Sequence, residues 1–84
     1  MPKRDVTLNN EVGLHARPAA VFSKAAAGFT SSVAVTKSGA EANAKSVLSV
    51  LKLDVQKGDT VTIRADGPDE EQALTDLVTL VEKL

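Results

Sequence analysis

Apolar residues in this chain alternate over short stretches, then recur at helical spacing, with glycine-containing breaks between the stretches. Val6 and Leu8 alternate with Asp5 and Thr7, the period-two pattern of a strand with one buried face. Asn9-Asn10-Glu11-Val12-Gly13 reads as a loop. From about Ala16 to Ala27 the chain is rich in alanine, and Phe22, Ala25, Ala26 and Phe29 follow the i, i+3, i+4, i+7 spacing of a core-facing stripe. A helix is predicted there, stopped by Gly28. Pro18 fits such a helix only in its first turn, where its missing N–H breaks no bond. That constraint places His15 at or next to the N-cap.

Ser32-Val33-Ala34-Val35-Thr36-Lys37 alternates as a second strand, and Ser38-Gly39 supplies a tight turn into a short returning strand through Ala40, Glu41 and Ala42. Ser46 can cap a second helix, running to about Leu53, by accepting a bond from a free N–H. Lys57-Gly58-Asp59 turns the chain into a fourth strand, with Val61, Ile63 and Ala65 inward and Thr60, Thr62 and Arg64 outward. Asp66-Gly67-Pro68 breaks that strand, and Asp69 and Gln72 have the spacing of a capping box. Leu74, Leu77, Val78, Val81 and Leu84 form the apolar face of a last helix, with acids at its start and Lys83 near its end, as the helix dipole favours.

The resulting order is β-α-β-β-α-β-α. Strands polar on one face need their helices on the other. The expected fold is therefore α+β: an open-faced two-layer sandwich of a four-stranded antiparallel sheet with three helices on one side. At 84 residues the chain is one small domain, residues 1–84, and its 43% hydrophobic content is enough for a core. There is no cysteine, so neither a disulfide framework nor a thiolate metal site is available. No apolar run approaches the roughly 20 residues that span a bilayer. Met1-Pro2-Lys3-Arg4-Asp5 has no signal-peptide core behind it. A cytoplasmic protein, not inserted in a membrane, is expected, and a monomer.

Charge changes the picture only through its distribution. The net charge is −1, but residues 12–53 carry +4 and residues 54–84 carry −5. The basic half contains His15, and a local positive field attracts acidic partners or an anionic ligand. Two phenylalanines are the only aromatic residues, too few for a stacking platform, and no dense basic run exists for a duplex backbone. Nucleic acid is not expected as a partner.

The candidate chemistry centres on Gly13-Leu14-His15-Ala16-Arg17-Pro18-Ala19-Ala20, which holds the only histidine. First-turn N–H groups of a helix lack intrahelical partners, and the dipole makes that end positive, so it attracts phosphate. A nucleophilic imidazole at such a mouth, backed by the Arg17 guanidinium, can hold a phosphoryl group for a short time. Attack on phosphorus needs an uncharged ring, and the positive helix end and Arg17 both disfavour the imidazolium. The backbone N–H groups of Ala16 and Arg17 would receive the phosphoryl oxygens, while Arg17 bonds them and screens charge during transfer. Gly13 allows the close backbone approach that brings the imidazole to the surface. The plainer alternatives are a helix-capping histidine or a metal ligand. The latter lacks partners, since there is no second histidine and no nearby cluster beyond Glu11. No metal and no cofactor are expected.

Gly13-Leu14-His15-Ala16-Arg17-Pro18-Ala19 resembles the active-site signature of the HPr family, the histidine-containing phosphocarriers of the bacterial phosphotransferase system. The similarity extends to Lys37-Ser38-Gly39, Asn43-Ala44-Lys45-Ser46 and Lys57-Gly58-Asp59, and so across almost the whole chain. The resemblance implies an open-faced β-sandwich with strand order 1-4-2-3. It also implies a carrier rather than an enzyme. Enzyme I would pass a phosphoryl group from phosphoenolpyruvate to the δ1 nitrogen of His15, and the carrier would deliver it to the IIA units of sugar permeases. A carrier of the nitrogen-related branch, with the same chemistry and other partners, is the alternative, as is a regulatory module controlled through Ser46. Some relatives of that last type lack the histidine.

In many Gram-positive relatives the serine at the place of Ser46 is phosphorylated by an ATP-dependent HPr kinase/phosphorylase. Here Val47-Leu48-Ser49 stands where Ile-Met-Gly is common, and Asp54 where a glycine is frequent. The short second helix also carries more apolar side chains than one buried face can use. Val50 and Leu53 fall on one side, and Val47, Leu48 and Leu51 on another. The second group is expected to form an exposed partner surface ringed by Arg17, Lys24, Lys45 and Lys52.

Overall fold

A computed structural model describes residues 2–84; Met1, which opens the Met1-Pro2-Lys3-Arg4-Asp5 start noted above, lies outside the described residues. The elements are β1 (Lys3–Thr7), α1 (Ala16–Ala27), β2 (Ser32–Lys37), β3 (Ala40–Asn43), α2 (Val47–Lys52), β4 (Thr60–Asp66) and α3 (Glu70–Lys83). The four strands form one sheet in the order β1-β4-β2-β3, with every pairing antiparallel. Both the α+β class and the strand order are those expected.

Register follows from the side-chain alternation. Val6 faces Val61, and Val35 faces both Ile63 and Ala42, so their side chains share the buried side of the sheet. Thr62, Arg64 and Glu41 occupy the other side, which no helix covers. Across that open face Thr62 donates to Asp5 at 2.6 Å, and Arg64 pairs with Glu41 at 2.8 Å. Hence one face can be polar while the helices close the core on the other.

The turns follow from residue types. Ser38 and Gly39 both have positive φ, 51° and 85°, as the two central residues of a type I′ hairpin require. On α1 the buried stripe is Ala19, Phe22, Ser23 and Ala26, with Ala25 and Phe29 only partly buried at its margin. Gly28 does end α1, but with a right-handed φ of −75° rather than a left-handed cap. Its N–H and that of Phe29 donate to Ala25 and Ala26, tightening the last turn instead.

The expected capping box on α3 is not formed. Asp69 is the N-cap residue but makes no side-chain cap bond to its own helix. Its carboxylate instead accepts from the backbone N–H groups of Thr30 and Ser31, each at 2.9 Å, and from the Ser31 hydroxyl. The Ser31 hydroxyl bond, reinforced by the Thr30 N–H, lowers the Asp69 carboxyl to about 2. Gln72 bonds Asp76 at 2.7 Å, while Glu70 Oε1 accepts from the N–H of Gly67 at 3.0 Å. Donors on the loop after α1 outbid the helix's own N–H groups for the carboxylate, so it ties α3 to that loop.

Candidate functional site

His15 is the N-cap residue of α1, extended at φ −114° and ψ 156°, and its side chain makes no cap hydrogen bond. The ring is therefore not a helix-capping histidine. Its side chain is 38% exposed, neither packed in the core nor fully free. The next residue, Ala16, has φ +48°, a left-handed conformation uncommon for alanine and costing about 1–2 kcal/mol. The chain thus kinks at Ala16 as it enters the helix.

The loop before the ring is clamped from the far side of the sequence. Gly13 sits at φ +60°, and a Cβ there would lie 2.2 Å from the carbonyl oxygen of Val55. Only glycine fits, on grounds of space and of conformation. Leu14 donates its N–H to that same carbonyl at 2.9 Å, and its side chain is fully buried. Asn10 Nδ2 donates to the carbonyl of Gly13 at 2.8 Å. His15 follows directly on this anchor.

Asp54 is a neighbour of the ring that the sequence reading did not assign. Its Oδ1 lies 3.0 Å from His15 Nε2. It follows the C-cap of α2 with φ +54°, a left-handed position where glycine is easiest and aspartate is tolerated. Its N–H donates to Leu51, and its carbonyl accepts from Lys37 Nζ at 2.6 Å. Gln56 Nε2 donates to its second carboxylate oxygen at 3.2 Å. Lys37 also pairs with Asp59 at 3.0 Å. The Gln56 backbone N–H, and after it Lys37, hold the Asp59 carboxyl below its ordinary value. No local sequence signal marks Asp54, which meets His15 only through the fold. The one hint is the resemblance noted above, which implies a glycine at its place.

Arg17 is exposed and joins none of the ion pairs found among the described residues. Ala16 is exposed beside it. A shallow concavity lined by Glu11, Val12, His15 and Gln56 opens next to the ring, with Val12 about half exposed. Ser46 is the N-cap of α2, its Oγ accepting from the N–H of Ser49 at 3.3 Å.

On the expected partner surface, Leu48 is 73% exposed and Val47 37%. Lys24 and Lys52 are exposed as well. Leu51 departs from the expectation, because it is half-buried against the core. Lys45 is also half-buried, and its ammonium donates to the carbonyl of Phe29 at 2.7 Å, closing the end of α1 rather than standing free. Val21 on α1 is a further exposed aliphatic residue that the sequence reading did not include.

With this geometry in view, the comparisons with known proteins are specific. The signature described as the PTS HPr component phosphorylation site matches residues 2–83. The chain belongs to the HPr family. The phosphocarrier protein HPr of Cupriavidus necator is 41% identical over 81 residues, spanning 96% of this chain and 91% of that protein. The HPr-like protein Crh of Halalkalibacterium halodurans is 37% identical, covering 99% of both chains. The crystal structure of HPr-C-His from Thermoanaerobacter tengcongensis superposes with a TM-score of 0.96 at 41% identity, covering 99% of this chain and 93% of the other. As an HPr-family member the chain is a carrier of the bacterial phosphotransferase system rather than an enzyme. No helix among the described residues is long and apolar enough to cross a membrane.

Proposed function

We propose that this HPr-family carrier accepts a phosphoryl group from phosphorylated enzyme I on His15 and passes it to IIA components of sugar permeases. One observation carries the reading: the His15 ring stands half exposed at the N-terminus of α1 and commits no atom to capping it. The ring is available to phosphorus while the helix end beside it remains electropositive. Arg17, exposed and in none of the ion pairs among the described residues, supplies a guanidinium for the equatorial oxygens, and the N–H groups of Ala16 and Arg17 supply fixed donors. The exposed Val47 and Leu48, with Lys24 and Lys52 around them, form the docking surface for both partners.

The test is incubation with enzyme I and phosphoenolpyruvate. An acid-labile phosphate is expected on the unsubstituted protein and absent from His15→Ala. Arg17→Ala is expected to slow transfer at least about tenfold with the fold intact. Equal labelling of His15→Ala would overturn the proposal. Acceptor IIA proteins of the sugar and nitrogen-related branches, offered side by side, separate those two assignments.

A regulatory role through Ser46 is the second reading, supported by the resemblance of Asn43-Ala44-Lys45-Ser46 to the family and by the position of Ser46 at the start of α2. A phosphate there adds negative charge near the docking surface and weakens acceptance at His15. Incubation with ATP and an HPr kinase/phosphorylase tests it, and a Ser46→Ala protein labelled like the unsubstituted one removes it.

A further inference from the structure

We infer that Asp54 is a positioning residue for His15: by accepting from Nε2 it keeps the ring proton there, leaving Nδ1 as the nucleophile. This inference rests on phosphoryl acceptance by His15. A carboxylate carries no hydrogen to give, so the 3.0 Å contact with Oδ1 requires Nε2 to be the donor. In a neutral imidazole one nitrogen holds the proton and the other the lone pair, and the partner of the first decides which is which. The bond from Asp54 therefore fixes both the tautomer and the rotation of the ring.

The carboxylate is itself held from several directions. The left-handed backbone at Asp54 turns the side chain off the end of α2. Leu51 and Lys37 bond its N–H and carbonyl, and Gln56 bonds the oxygen that His15 does not use. A glycine, which suits the same φ, would leave the ring without this acceptor.

The charge balance of the transfer gives Asp54 a second effect. The Nδ1 lone pair forms the nitrogen–phosphorus bond as the donor's bond to phosphorus breaks and its electron pair leaves with the donor. The Nε2 proton stays in place, so the ring gains positive charge as the new bond forms. A carboxylate already placed at Nε2 meets that charge without rearrangement. With its side chain 64% exposed, Asp54 acts through a partly screened contact, and the effect is correspondingly modest.

Asp54→Asn and Asp54→Gly both suit the left-handed backbone, and an unchanged amide NMR spectrum checks that each is folded. The asparagine is isosteric but can offer Nε2 either an acceptor or a donor. Histidine side-chain nitrogen-15 shifts, read where the ring is neutral, are expected to show the proton on Nε2 in the unsubstituted protein and an increased Nδ1-protonated fraction in both variants. Transfer from phosphorylated enzyme I is expected to lose about three- to tenfold in kcat, with KM little changed. An unaltered tautomer ratio, or a change confined to KM, would overturn the assignment and make Asp54 a docking charge. The nitrogen-15 measurement uses the free protein alone. A failure of enzyme I to label His15 in the unsubstituted protein would overturn the proposed function separately.

Discussion

Gly13 and Ala16 bracket the His15 side of the site with two left-handed residues of opposite kind. Gly13 cannot be replaced: the Val55 carbonyl occupies the space of any Cβ, so Gly13→Ala is expected to cost at least about 2 kcal/mol in urea unfolding and to displace the ring. Ala16 is a residue that would be better as glycine. Its φ of +48° costs about 1–2 kcal/mol, while glycine adds about 0.5–1 kcal/mol of chain entropy. Ala16→Gly is therefore expected to leave stability unchanged or raise it by up to about 1.5 kcal/mol, measured by the same unfolding curves. The close approach at Gly13 and the N-cap place of His15 were legible because they depend on local backbone demands. Asp54 was not, because a carboxylate 39 positions away declares its partner only once α2 and α1 are packed together.

Among the elements, the strands and the long helices were legible from periodicity, since a two-layer fold imposes burial on one face of each. The start of α3 was not. The spacing of Asp69 and Gln72 suggested a local cap, but donors on Thr30 and Ser31 take the carboxylate and make it a link between elements. Its folded-state pKa, lowered from 3.8 to about 2, means that this contribution is complete above the unfolded value and is lost as pH falls through the folded one. Asp69→Asn is therefore expected to be less stable than the unsubstituted protein near neutrality. The gap should narrow as pH drops from about 4 towards 2, as followed by thermal unfolding. For α2 the cap was read correctly, and Ser46→Ala is expected to cost about 1 kcal/mol through loss of the bond to Ser49. The apolar excess of that helix was only partly surface, because Leu51 turns inward against the core.

At the scale of the molecule, the basic half of the chain supplies α1 and α2, and the acidic half supplies α3. The proposed docking surface can then be weakened without touching the core. Leu48→Ala is expected to change stability by less than about 0.5 kcal/mol while raising KM for enzyme I or IIA roughly tenfold. Steady-state transfer assays at two salt concentrations check this, since an apolar loss persists at high salt. The clamp of Gly13 and Leu14 onto Val55 has its own consequence. It joins the loop that carries the imidazole to a segment some forty residues downstream, so an unfolded chain contains the same histidine with nothing to aim it. The rate at which the ring takes up phosphate should therefore fall in step with the native population along a denaturant series. A chemical label would in this way act as a gauge of folding.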